Sequence, residues 1–197
     1  PLGNIRSARE RILRYMQKYM GEVLQGDELM VVAGISEYAR RVRELRVEYG
    51  WAIISGVTVG EMRENAQIED SKEEALIPEM KPDEYMLTSA EQDRDAAFRW
   101  NIASEIRKDG SLSIRDKIIL YLRKNVGKPV TGEELRYVTG NKSEWARRTR
   151  ELRTEYGWPV ATKANGRPDL PIGSYVLEED KQLPIHDRKI PDSVRRS

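Results

Sequence analysis

Two arginine-rich segments carry the residues of this chain that are best suited to chemistry. Residues 36–51 read SEYARRVRELRVEYGW and residues 143–158 read SEWARRTRELRTEYGW, so the two segments differ at three positions. Guanidinium groups stay charged at any physiological pH and offer a fork of donors that matches phosphate and carboxylate oxygens. In a helix, Arg40 and Arg43 lie on one face, and the second segment repeats this spacing. The pattern predicts two helices that each present arginines to an anionic partner.

The same residues allow a second interpretation, in which the charges only stabilise a solvated helix. Arg40 and Glu44 are four residues apart, the spacing at which opposite charges pair on a helix surface, and the second segment repeats the pair. The pattern is kept in both segments, whereas the loops that follow them differ in length and charge. We therefore favour a binding role for these faces. Arg46 and Arg153, at the edge of the apolar face, remain open to either role.

The composition gives little support for catalysis. The chain has no cysteine and one histidine, His186, so thiolate metal sites are excluded and histidine-based catalysis is not expected. No motif of a serine hydrolase, zinc protease, phosphate-binding loop or dinucleotide-binding fold is present. We predict no catalytic residue, no metal site and no cofactor, and we expect His186 to be an exposed residue of a proline-flanked tail.

Charge and hydropathy limit the class of protein further. The 197 residues carry a formal net charge of +1, with 39% hydrophobic and 34% charged side chains, which is enough apolar material for a compact core. No apolar stretch reaches the ~18–20 residues that a membrane-spanning helix needs. The absence of cysteine suits a reducing cytoplasm. Residues 1–3 (PLG) look like the remnant of a protease-cleavage site rather than part of the fold.

The arginine-rich segments belong to an internal repeat that covers most of the chain. Upstream of them, residues 10–34 match residues 116–140, with glycines and one tyrosine at equivalent positions. Downstream, residues 80–87 parallel residues 170–177. The chain therefore contains two copies of one fold.

Each copy predicts the same order of elements, because helical spacing of apolar residues is followed by glycine stops and β-prone runs. In the first copy we predict helices at 6–20, before Gly34 and from the N-cap Ser36 to Tyr49, then strands at 51–54 and 84–87. In the second copy we predict helices at 113–125, after the capping box of Thr131 and Glu134, and from the N-cap Ser143 to Tyr156, then strands at 158–161 and 174–177. Three helices and a two-stranded hairpin are the order of a winged helix-turn-helix domain.

We therefore predict a predominantly helical α+β protein of two tandem winged helix-turn-helix domains, residues 4–88 and 111–179, joined by a linker helix at 89–110. Ser89 and Gln92 form a capping box at the predicted start of this linker helix. The partial apolar stripe of the helix consists of Ala97, Phe98, Ile102 and Ile106, with Trp100 nearby. We predict that residues 180–197 form a basic tail.

An acidic insertion at 61–79 distinguishes the wing of the first copy from that of the second. Phosphates would repel these carboxylates, so we expect the insertion to face away from a polyanion or to bind a protein partner. The two copies are therefore not expected to be equivalent.

The third helix of a helix-turn-helix domain enters the major groove of DNA, where arginine contacts guanine or phosphate. Tyr38, Val42, Leu45 and Tyr49 share one face of this helix and should point into the core, leaving the arginines outside. We predict double-stranded DNA as the partner. The predicted DNA-binding residues lie on or just before the two third helices and in the second wing: Ser36, Glu37, Arg40, Arg41, Arg43, Lys142, Ser143, Glu144, Arg147, Arg148, Arg150, Lys163 and Arg167.

The repeated segments, followed by residues 169–177 (DLPIGSYVL), resemble the winged-helix region that precedes the nuclease domain in a group of prokaryotic HNH endonucleases similar to restriction enzymes. The tail at 183–196 is similar to the basic lead-in to the first zinc-binding cysteine pair of their nuclease domain. The resemblance implies a DNA-recognition fragment that is not itself an enzyme, with a C-terminal HNH nuclease domain in the full-length protein. It also implies a nucleoid-associated cytoplasmic protein. Some members of this group act on DNA that carries a modified base such as N6-methyladenine or 5-methylcytosine.

Two other functions remain open from the sequence. The chain could be a transcriptional regulator that uses the acidic stretch at 61–79 to bind protein. It could also be a winged-helix interaction module whose arginine faces dock an acidic protein. Salt-sensitive binding to duplex DNA separates a DNA reader from the interaction module.

Overall fold

The computed structural model describes residues 7–64, 75, 76 and 78–185. These residues form an α+β fold of eight helices and two three-stranded antiparallel sheets. Within the described part of the chain, no helix is long and apolar enough to cross a membrane. The residues of the predicted cleavage remnant at 1–3 lie outside these ranges.

The first half of the chain contains four helices and the first sheet. Its elements are α1 (Ala8–Lys18), β1 (Leu24–Gln25), α2 (Gly26–Ala33), α3 (Tyr38–Val47), β2 (Trp51–Ser55), α4 (Gly56–Glu64) and β3 (Glu84–Gln92). The strand order is β1-β3-β2, so β3 lies in the middle and pairs on both sides.

The second half begins with an additional helix and then repeats this order without a counterpart of α4. It comprises α5 (Ala96–Lys108), α6 (Ile114–Arg123), β4 (Val130–Thr131), α7 (Gly132–Val138), α8 (Trp145–Thr154), β5 (Val160–Thr162) and β6 (Ser174–Leu177). The strand order β4-β6-β5 corresponds to that of the first sheet. The predicted pair of strands is present in each half, and the short strands β1 and β4 were not predicted.

The first and second helices of each copy of the repeat begin and end close to the predicted residues. The capping box predicted at Thr131 and Glu134 is confirmed, with each side chain bonded to the backbone of the other residue. The predicted N-caps of the third helices are wrong. Glu37 and Glu144 are the N-caps of α3 and α8 and make no side-chain capping bond, because a tight turn occupies the preceding residues. In that turn the Trp145 N–H donates to the Lys142 carbonyl at 3.2 Å.

The predicted linker helix begins later than expected. Ser89 and Gln92 belong to β3, which continues its pairing with β2 as far as Trp51 opposite Gln92. Only after this strand ends does α5 begin, with Asp95 as its N-cap.

The predicted apolar stripe of the linker helix is also wrong in part. Phe98 is 69% exposed, whereas Arg99 and Trp100 are buried. The buried face of α5 runs through Ala96, Trp100 and Ala103, because the helix packs against α6 and α7 of the second half.

The first part of the acidic insertion is a helix rather than a loop. In α4, Val59 and Met62 enter the apolar core of the second half, which also contains Ile54 of β2 and the fully buried Trp145 of α8. The core of the first half is separate and is centred on residues such as Leu29 and Leu45. The start of the insertion therefore packs against the second half of the same chain. Residues 65–74 and 77 of the insertion lie outside the described residues.

A buried polar network anchors α5 to the second half. Arg99 Nε donates to Glu134 Oε1 at 2.8 Å, and the Tyr121 hydroxyl donates to the same oxygen at 2.8 Å. Burial lowers the pKa of Arg99, but the attraction of the Glu134 carboxylate outweighs burial and raises it overall. The first half has the equivalent pair of Tyr15 and Glu28, and no arginine among the described residues pairs with Glu28 as Arg99 does with Glu134. The hydrogen bond to Glu28 raises the pKa of Tyr15 to about 12.

We expect Glu134→Gln to destabilise the protein by about 3 kcal/mol, because it removes the buried carboxylate that pairs with Arg99 and leaves only the more exposed Asp93 beside it. Glu28→Gln is the matched control in the other half, and it should cost about 1 kcal/mol, since the Tyr15 hydroxyl and the Gln25 N–H that bond Glu28 are neutral donors. Urea unfolding followed by circular dichroism measures both. Equal losses for the two variants would show that the Arg99–Glu134 pair does not anchor α5.

Candidate functional site

The surface of α3 divides as the sequence predicts. Val42 and Leu45 are buried, whereas the Arg40 side chain is 70% exposed and Arg43 is exposed. Tyr38 is half-buried. Tyr49, predicted to point inward, lies after the end of α3 near the surface, where the Arg9 guanidinium lies 4.2 Å from its ring centroid.

One carboxylate, that of Glu44, pairs with two of the four arginines of α3. Arg41 Nη1 donates to both oxygens of Glu44, at 2.6 and 2.8 Å, and Arg40 Nε lies 3.4 Å from the same group. The hydrogen bond from Arg41 lowers the pKa of Glu44. Arg43 forms no ion pair with any of the described residues. Arg43 thus carries a charge that is available to an external partner.

The corresponding helix α8 repeats the pairing of arginines with one carboxylate, but Arg150, at the position of Arg43, is half-buried. Arg147 Nε and Arg148 Nη1 each donate to Glu151 at 2.8 Å. Burial raises the pKa of Glu151, and the hydrogen bonds from Arg148 and Arg147 outweigh burial and lower it overall. The salt bridges of the second interpretation are therefore present on both helices, together with the exposed guanidinium groups of the first.

The remaining predicted binding residues fall into two groups. The residues before the third helices are exposed: Ser36, Glu37, Lys142, Ser143 and Glu144. In the loop between β5 and β6 the cations are held internally. Lys163 Nζ donates to the carbonyls of Pro168 and Leu170 at 2.9 and 3.1 Å, and Arg167 pairs with two carboxylates, those of Asp169 and Glu178.

Arg46 has a structural partner across the two halves. It pairs with Glu133 of α7, and the backbone N–H and hydroxyl of Ser55 donate to Glu133 Oε1 at 2.7 and 2.6 Å. A reciprocal contact comes from Glu61 of α4, which accepts bonds from Arg136 Nε and Trp145 Nε1, both at 2.8 Å. These contacts fix α3 against α7.

This packing creates a groove of about 400 Å³ between α3, α5 and α7. Among the described residues, four arginines line it, namely Arg43, Arg46, Arg107 and Arg136, together with one carboxylate, that of Glu133. Sequence reasoning missed Arg107 and Arg136. The available signal was a difference between the repeats, because Arg136 stands where the first copy has Met30.

The described residues include no group of three or more histidine, cysteine, aspartate or glutamate side chains that could hold a metal ion. His186, which was predicted to be an exposed residue, lies outside the described residues, as do residues 187–197 of the predicted basic tail.

The fold and the site define a two-part α+β module that presents one arginine-rich helix from each half. A family model described as the KpnI N-terminal domain matches residues 9–88 and 115–178. The chain belongs to this family, which is a restriction enzyme family, so the expected relation to the N-terminal region of restriction-type endonucleases is confirmed. No curated protein and no solved structure matches the chain.

The exposure and pairing of the arginines predict their chemical reactivity. We expect phenylglyoxal to modify Arg43 rapidly, because its guanidinium is exposed and has no ion pair with the described residues. Arg99, which is buried and paired with Glu134, should react only after unfolding. Mass spectrometry of peptides over a time course measures both rates, and similar rates in the native protein would contradict the assigned geometry.

Proposed function

We propose that this chain is the DNA-recognition part of a restriction endonuclease, and that α3 and α8 are its two recognition helices. The observation that carries the proposal is the exposed guanidinium pair of Arg40 and Arg43 on α3, with Arg147 and Arg150 at equivalent positions of α8. Membership of a restriction enzyme family makes DNA the expected anionic partner.

In this proposal each half is a winged helix-turn-helix domain. The helix pairs α2–α3 and α7–α8 are the helix-turn-helix units, and the hairpins β2–β3 and β5–β6 are the wings. Their common order and the matching strand orders β1-β3-β2 and β4-β6-β5 support this assignment. The third helix of such a domain enters the major groove, where arginine makes paired hydrogen bonds to guanine.

The salt bridges on these helices are compatible with DNA binding. Glu44 and Glu151 restrict the rotamers of the arginines that they hold, so less side-chain entropy is lost when those guanidinium groups bind a base or a phosphate. The carboxylates also reduce the net charge of each helix. The proposal therefore predicts moderate non-specific affinity and a larger role for directed contacts.

The two wings differ in what they offer to DNA. The insertion between β2 and β3 begins with α4, which is packed against α7 and α8. Lys163 and Arg167 of the second wing already have internal partners. We therefore assign recognition mainly to α3 and α8. We also propose that the cleavage chemistry belongs to an HNH nuclease domain in a longer protein.

Replacing Arg40, Arg43, Arg147 and Arg150 together with alanine should abolish preferential binding to the best duplex site. A base-reading arginine is worth about 1–3 kcal/mol, and each lost phosphate contact lowers the log–log salt slope by about one. Fluorescence anisotropy across a salt series measures both quantities.

The matched control removes four exposed cations elsewhere, namely Lys81, Arg94, Lys124 and Lys181. It changes the net charge equally and should retain site preference. If the folded quadruple recognition variant binds its site as tightly as the control does, α3 and α8 are not the recognition helices.

We further propose that one half reads a modified base, N6-methyladenine or 5-methylcytosine, as in some of the endonucleases that the sequence resembles. The expected result is tighter binding to the methylated form of the best site, by about 10-fold if one good contact is gained. Equal dissociation constants for methylated and unmethylated duplexes would remove this part of the proposal and leave DNA recognition unaffected.

A further inference from the structure

We propose that the groove between α3, α5 and α7 binds the sugar-phosphate backbone of one DNA strand, with Arg107 and Arg136 as phosphate ligands. This inference rests on the proposed binding of duplex DNA by α3. It assigns a DNA contact to two arginines of the second half that lie outside the recognition helices. The two halves would then hold one stretch of duplex jointly.

The charge and size of the groove favour this ligand. Its lining contains four arginines and one glutamate, so cationic groups prevail in a confined space. A volume of about 400 Å³ is comparable to that of small-ligand sites and is too small for a duplex. A segment of one backbone fits the groove, while the rest of the duplex lies across its opening. Arg43 of α3 lines the same groove and links it to the recognition face.

Each proposed ligand keeps donors for a phosphate. Arg136 uses Nε to bond Glu61 at 2.8 Å, and Arg107 uses Nη1 to bond the Tyr137 carbonyl at 3.1 Å. A guanidinium group has five N–H donors, so both side chains retain several. Both are partly exposed.

Two packed aromatic rings, those of Tyr137 and Trp100, orient the Arg107 side chain. Its guanidinium carbon lies 4.5 Å from the centroid of the Tyr137 ring, and the Trp100 ring packs edge-on against Tyr137 with centroids 4.9 Å apart. This stacking restricts the side chain before any ligand arrives, which lowers the entropic cost of binding. Asn141, exposed in the groove lining, adds an amide donor.

The repeat provides an internal contrast that supports a specific role. In the first half, Met30 and Val31 occupy the positions of Arg136 and Tyr137, and Val31 is 78% exposed. At these positions, α2 has neither a cationic nor an aromatic side chain. The groove is therefore particular to α7, where it faces α3.

The test measures duplex binding across a salt series for Arg107→Gln, Arg136→Gln and the double variant, with Arg94→Gln as control. Arg94 is an exposed arginine near the start of α5 that does not line the groove. We expect each groove variant to weaken binding to all duplex sequences and to lower the log–log salt slope by about one, and the double variant by about two. The Arg94 variant should change neither quantity.

A second pair of variants adds a negative charge without removing any arginine contact. Asn141→Asp places a carboxylate in the groove and should weaken binding several-fold at low salt, whereas Asn101→Asp makes the same change on the exposed side of α5 and should not. If the wild-type chain binds DNA and Arg43→Gln weakens binding while the groove variants leave the salt slope unchanged, the groove proposal is wrong and DNA recognition stands. If the wild-type chain binds no duplex, both proposals are wrong.

Discussion

The position of α3 depends on one buried carboxylate, that of Glu133. It belongs to α7 in the second half and accepts the N–H and hydroxyl of Ser55 while pairing with Arg46, both from the first half. Removing a charge from water is costly unless donors compensate it, so these partners and the carboxylate hold one another in place. Because Arg46 is on α3, this interaction also sets the distance between α3 and α7 and thereby shapes the groove.

A second carboxylate makes the reciprocal connection. Glu61 of α4, from the first half, bonds Arg136 and Trp145 of the second. Around these polar contacts, Ile54 and Val59 complete the apolar core of the second half. The linker helix α5 was predicted to join the two halves. Arg99 of α5 contributes to the connection between the halves. The direct contacts of α3 and α4 with α7 and α8 also join them.

The sequence predicted the parts of the structure that depend on local pattern. Glycine stops, the Thr131–Glu134 capping box and the buried positions Val42 and Leu45 follow from spacing of a few residues. The predictions were wrong where contacts with residues distant in the sequence determine the local structure. Ser89 entered a strand because β2 extends the pairing of β3, and Phe98 is exposed because Arg99 and Trp100 have buried partners in the second half.

The candidate site, too, was predictable only where its residues follow a local sequence pattern. The arginines of α3 and α8 could be found from the repeat, whereas Arg107 and Arg136 join Arg43 only through packing between the halves. No helical period in the sequence indicates that contact. A residue-by-residue comparison of the copies does mark it, since a cation replaces Met30 at the position of Arg136.

We propose that the two halves read duplex DNA as one unit through arginines. The most direct test is fluorescence anisotropy of the unmodified chain against a randomised duplex pool over a salt series from ~50 mM upward. We expect binding that falls steeply with salt and enriches a defined site. Absence of binding at ~50 mM salt, where several phosphate contacts give measurable affinity, would contradict it and favour a protein-interaction module.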